Sequence, residues 1–144
     1  MGHGSAFISN TATEKIAALV QKVFEFRKSQ ERELFLRRKK YGEVVTINLT
    51  SMKAGHTKDC GNSYSMNVIP ATAQIGLDVR VPPQIHQSHV EQMIQQWANA
   101  SEGYEIEYVQ RGCGPNGENP ITELDNKFVK VFLDSMENKL YCLD

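Results

Sequence analysis

Ala73-Gln74-Ile75-Gly76-Leu77-Asp78-Val79-Arg80-Val81-Pro82-Pro83 is the most regular stretch of the sequence. Ala73, Ile75, Leu77, Val79 and Val81 fall on one face, and Thr72, Gln74, Gly76, Asp78 and Arg80 fall on the other. A two-residue period of this kind predicts a strand with one buried face. Pro82-Pro83 ends it, because proline has no amide hydrogen to give to a ladder. A strand that is apolar on one side only belongs in an antiparallel sheet whose single face is covered by helices.

Working upstream, Val45, Ile47 and Leu49 alternate with Thr46, Asn48 and Thr50 as a second half-buried strand. Between the two, residues 53–65 hold Gly55, Gly61 and Asn62 and predict a loop, and Met66 to Ala71 predicts a short extended segment. Before the strands, Thr11 and Glu14 have capping-box spacing. Ile16, Leu19, Val20, Val23 and Phe24 then recur at helical spacing, which predicts a helix from about Thr11 to Arg38, closed by Gly42. Downstream, Val90, Met93, Ile94 and Trp97 mark a second helix, and Tyr104, Ile106 and Tyr108 alternate with Glu105 and Glu107 as a third strand. Residues 112–120 carry three glycines and two prolines and read as a linker. A last helix from about Thr122 to Asn138 carries Leu124, Phe128, Val131 and Phe132.

The order is helix, strand, strand, helix, strand, linker, helix. One strand ahead of the first helix would complete a βαββαβ unit. The expected fold class is therefore α+β, a ferredoxin-like arrangement lacking its first strand, with an antiparallel sheet, two helices on one face and a further C-terminal helix. Residues 1–111 are expected to form this domain, with 112–144 as linker and exit.

The chain has 144 residues, of which 40% are hydrophobic and 23% charged, with a formal net charge of −1. That balance gives no general attraction to nucleic acid or to an anionic membrane. The basic run Arg37-Arg38-Lys39-Lys40 reads as cations at the negative pole of the first helix. No leader is expected from the opening residues, and no apolar run approaches the roughly 20 residues that span a bilayer. Cys60, Cys113 and Cys142 form no CxxC pair, which favours a reducing, cytoplasmic setting over a disulfide framework.

Few residues suggest chemistry on their own. His56 and Cys60 would supply only two ligands, too few for a structural zinc site. His86 and His89, at the start of the second helix, read as solvated. Arg80 has two readings: a solvated arginine on an open sheet face, or a guanidinium fork that grips a carboxylate. Asn67 is either a turn former or an amide donor to an anion.

Three segments stand in a telling order: Gly2-His3-Gly4-Ser5, then Asn67-Val68-Ile69-Pro70-Ala71-Thr72, then Asp78-Val79-Arg80-Val81. Together with Thr13-Glu14-Lys15, Val45-Thr46-Ile47-Asn48-Leu49-Thr50 and Gln96-Trp97, they resemble the aminoacylase-1-like family of dinuclear-zinc exopeptidases and amidohydrolases over residues 2–111. The resemblance implies the lid and dimerisation domain of a homodimeric N-acyl-L-amino-acid amidohydrolase. In that family a water bridging two zinc ions attacks the amide, with a glutamate as base, and those parts lie in a separate catalytic domain. The zinc ligands are therefore expected outside this chain, and the chain alone is expected to be inactive. By the same resemblance His3 is catalytic, stabilising the oxyanion in the partner subunit's site, while Asn67 and Arg80 bind the α-carboxylate of the N-acyl amino acid. Residues from Asn119 onward resemble a return into the catalytic domain, and the loop at 54–65 is longer than is usual in the family. A non-catalytic dimerisation module, such as a truncated paralogue, is the alternative. A ferredoxin-like RNA-binding domain ranks last, because Thr72, Gln74, Gly76 and Asp78 offer no aromatic platform beside Arg80.

Overall fold

The computed structural model describes residues 2–58, 63–100, 103–112 and 126–140. The elements, in chain order, are β1 (Gly2–His3), α1 (Ala12–Leu36), β2 (Thr46–Ala54), β3 (Thr57–Lys58), β4 (Ser63–Tyr64), β5 (Val68–Ile69), β6 (Ala73–Arg80), α2 (Gln87–Asn99) and α3 (Lys127–Leu140), with one 3₁₀ turn at Tyr41–Glu43. The fold is α+β with small antiparallel sheets and three helices, consistent with the ferredoxin-like class expected from the sequence.

The expected pairing of the two long strands forms. β2 and β6 run antiparallel with Thr46 opposite Arg80, Ile47 opposite Val79 and Leu49 opposite Leu77. Beyond Leu49 the register shifts, so that Ser51 rather than Thr50 faces Gly76. This is a bulge, with an extra residue in β2. Glycine suits the position opposite: a Cβ on residue 76 would lie 2.6 Å from Ser51 Oγ and 3.2 Å from Thr50 Oγ1. α1 packs on both strands and against α2, with the Phe26 and Trp97 rings 5.7 Å apart. The core lies between these layers. Ile16, Val23, Val44, Val45, Ile47, Val90 and Ala98 are buried there, and Val23 and Ile47 are sealed off entirely.

α1 opens on the expected capping box. The Glu14 amide donates to Thr11 Oγ1 at 3.2 Å, and the Thr11 amide donates to Glu14 Oε2 at 2.8 Å. The helix stops two residues earlier than expected, at Leu36, because Arg38 takes a left-handed φ of 54°. The basic run therefore lies beyond the last turn instead of within it. Arg37 and Lys39 fold back onto the Glu33 carboxylate at 3.2 and 3.1 Å.

Two further expectations are corrected. The segment read as a loop at 53–65 is partly ordered: β2 continues to Ala54, and β3 pairs with β4 as a short antiparallel ladder. The strand expected at Tyr104, Ile106 and Tyr108 does not form; among the described residues that segment joins no ladder. A ladder partner is what it lacks. In a βαββαβ sheet the first strand lies inside the sheet, and no described strand occupies that place. Side chains tether the segment to α2 instead. The Tyr104 hydroxyl donates to Asn99 Oδ1, and Arg111 makes a forked ion pair with Glu91 while its guanidinium lies 4.5 Å over the Tyr108 ring.

α3 begins at Lys127, where Asn126 Oδ1 accepts the Phe128 amide at 2.9 Å; Leu124, expected in this helix, lies outside the described residues. Its apolar residues Phe128, Val131 and Phe132 are exposed. Among the described residues no helix is long and apolar enough to cross a membrane.

Candidate functional site

The site is built on a strand pair that joins the start of the chain to the segment before β6. β1 and β5 run antiparallel, with Gly2 opposite Ile69 and His3 opposite Val68. The ladder is extended by the Gly4 amide, which donates to the Asn67 carbonyl at 2.7 Å. The two backbones are so close that a Cβ on residue 4 would lie 3.2 Å from the Asn67 oxygen, which explains the glycine. His3, on β1, and Asn67, in the turn that leads into β5, lie 64 positions apart in the sequence and are brought together by this ladder.

The orientation of His3 is set locally. Its Nδ1 accepts the Ser5 amide at 3.3 Å and lies 2.7 Å from the Ser5 hydroxyl. An acceptor role at Nδ1 puts the proton of the neutral ring on Nε2. His3 is exposed, so Nε2–H is available as a donor to an external oxygen.

Asn67 occupies the corner of a tight turn. The Val68 amide donates to the Ser65 carbonyl at 3.3 Å, with Met66 and Asn67 between them. The turn is anchored from behind, where the Ser65 amide donates to the His56 carbonyl at 2.8 Å. Met66 and Asn67 are both exposed at its tip.

Arg80 stands apart from this pair. It ends β6, opposite Thr46, with its side chain 80% exposed and Nη2 3.3 Å from Asp78 Oδ2. Among the described residues no ladder or hydrogen bond joins it to His3 or Asn67. So exposed an ion pair adds little stability, which leaves the guanidinium able to exchange Asp78 for another carboxylate.

Among the described residues no three of histidine, cysteine, aspartate and glutamate converge on a common point. Cys60 lies outside the described residues, and His86 and His89 are exposed with their rings 5.4 Å apart. No chemical step is therefore assigned to a metal held by these residues.

Sequence reading missed the Glu91–Arg111 pair, since twenty positions separate the two and nothing in the local pattern joins them. Arg111 reaches Glu91 through Nε at 3.2 Å and Nη2 at 2.5 Å, and Gln87 donates to the same carboxylate at 2.9 Å. Burial alone would raise the Glu91 pKa, but the hydrogen bonds from Arg111 and Gln87 and the arginine charge outweigh it and hold it below the usual carboxylate value. A depressed carboxylate stabilises the fold above its unfolded pKa, and that stability is lost as pH falls through the folded pKa. Glu91→Gln should thus lower stability by about 1 kcal/mol at neutral pH, a modest effect because Arg111 is partly exposed. The gap between variant and parent should close below about pH 4. Denaturant titrations of both proteins from pH 7 to pH 3 check this, and a gap that stayed constant would exclude the ion pair as its cause.

Residues 1–104 match the family described as "Peptidase dimerisation domain". The chain is similar to aminoacylase-1 of Dictyostelium discoideum, at 36% identity over 138 residues, covering 93% of this chain and 33% of that protein. It is similar to aminoacylase-1 of Sus scrofa at 34% over 126 residues (87% and 28%), and to that of Homo sapiens at 33% over 116 residues (79% and 26%). It thus spans a third or less of the length of these relatives. No solved structure matches it. With the family matching residues 1–104, well over half of its length, the chain belongs to the peptidase dimerisation domain family.

Proposed function

We propose that this chain is the lid and dimerisation segment of a zinc-dependent N-acyl-L-amino-acid amidohydrolase, acting as a homodimer on ligands and metal held elsewhere in the full-length protein. The observation that supports the reading is the β1–β5 ladder, which pairs His3 with Val68 and brings the exposed Asn67, in the turn just before β5, next to the exposed His3–Gly4 backbone. In this reading His3 Nε2–H donates to the oxygen that gains negative charge as the amide is attacked. Asn67 offers its amide NH₂ and Arg80 its planar fork to the α-carboxylate of the substrate. A fork suits two carboxylate oxygens better than a point charge does. Similarity to aminoacylase-1 supports the substrate class. The exposed Phe35 and Leu36 at the end of α1 and the apolar residues of α3 supply surface for contact with a second copy or with the rest of the protein.

The test is a hydrolysis assay on a full-length protein carrying this segment. An N-acetyl amino acid should be turned over in clear preference to the corresponding amide, which lacks the free carboxylate. Equal kcat/KM for the two would rule out the anion-binding roles of Asn67 and Arg80.

A further inference from the structure

Ser65 is only 6% exposed, and its buried Oγ has no hydrogen-bond partner among the described residues. Buried hydroxyls are nearly always paired, and one that is not weakens the fold relative to alanine. The Ser65 backbone accounts for the turn without the side chain: its amide is spent on His56 and its carbonyl on Val68. The hydroxyl therefore adds nothing to the local structure. It sits two positions before Asn67, at the start of the turn that holds Asn67 at its corner.

An asparagine that binds a carboxylate has an orientation problem. Its NH₂ attracts the anion, whereas its Oδ1 repels it, and the two ends have almost the same shape. A donor fixed on Oδ1 resolves the choice. We infer that Ser65 is a positioning residue for Asn67. When the α-carboxylate binds, the Ser65 hydroxyl donates to Asn67 Oδ1 and turns the NH₂ toward the anion. The hydroxyl is unpaired in the free chain because its acceptor moves into place only with substrate. This inference rests on the proposed role of Asn67 in carboxylate binding.

The experiment uses the full-length protein carrying this segment, with Ser65→Ala and Asn67→Ala compared against the parent. Each is assayed with an N-acetyl amino acid and with its amide, and each is melted without substrate. Ser65→Ala should melt at or above the parent temperature. Its KM for the acid should rise about five- to tenfold, as for one lost hydrogen bond to a bound group, with kcat within about twofold and KM for the amide unchanged. A lower melting temperature would mean that the hydroxyl is structural, and would overturn the inference. An unchanged KM for the acid, or an equal rise for acid and amide, would overturn it as well. Asn67→Ala separates the two levels. If it raises KM for the acid while Ser65→Ala does not, the inference alone fails; if neither variant raises it, the carboxylate role of Asn67 fails and the inference falls with it.

Discussion

Replacing Ile47 with alanine should destabilise the chain by about 2–5 kcal/mol, a cost that can consume most of the stability of a domain this size. Ile47 is 1% exposed, lies opposite Val79 in the β2–β6 ladder, and is covered by the layer in which α1 packs on those strands. Among the described residues Val23 and Ile47 are the large side chains that are fully buried, so the core has few neighbours to fill a void. The cost contains both the lost transfer of the side chain from water and the cavity left behind. Phe35→Ala is the control: Phe35 is larger, but it is 72% exposed near the end of α1. Urea titration should show a large drop in midpoint for Ile47→Ala and a small one for Phe35→Ala. Similar midpoints for the two would remove Ile47 from the centre of the core.

His3→Ala in the full-length protein should lower kcat about 10²–10³-fold while leaving KM nearly unchanged, as for loss of a donor to a developing oxyanion. The split follows from when the charge appears. A neutral amide oxygen accepts weakly in the ground state, and the full negative charge exists only as the carbonyl is attacked, so removal of the donor falls on the transition state. The structure of the β1 segment bears on this through Nδ1, which the Ser5 amide and hydroxyl occupy, leaving Nε2–H for the substrate. Steady-state kinetics on a good N-acetyl amino acid provide the check. A variant with raised KM and unaltered kcat would make His3 a ground-state binding residue.

The parts of the fold that were legible in the sequence are those written in short-range pattern. The alternation of Ala73 to Val81 and of Val45 to Thr50 persists because a one-residue slip would turn every core side chain outward. The Thr11–Glu14 box is legible because both partners lie within one turn. What failed depended on partners far away. Tyr104 to Tyr108 has a strand-like period, but a period does not provide a neighbouring strand, and Arg111 and Tyr104 find α2 instead. The bulge opposite Gly76 and the β3–β4 ladder arise from how strands meet, which no single strand records. At the site, residue type and period left Arg80 and Asn67 ambiguous, and the roles proposed for them come from family resemblance. The proximity of His3 to Asn67 required the β1–β5 ladder, a pairing across more than sixty residues with no local signal. Ser65 was invisible for the same reason, since its burial depends on the segments folded over it.

The proposed function requires Arg80 to hold the substrate carboxylate, and Arg80→Lys tests that most directly. Lysine keeps the charge and loses the planar fork. In the full-length protein, the ratio of kcat/KM for an N-acetyl amino acid to that for its amide should fall about tenfold or more in Arg80→Lys, mainly through KM for the acid, a loss comparable to one charge-assisted hydrogen bond. The same ratio should be unchanged in His3→Ala, because the acid and the amide develop the same oxyanion. A ratio that Arg80→Lys leaves at the parent value would contradict the account and return Arg80 to a solvated arginine beside Asp78.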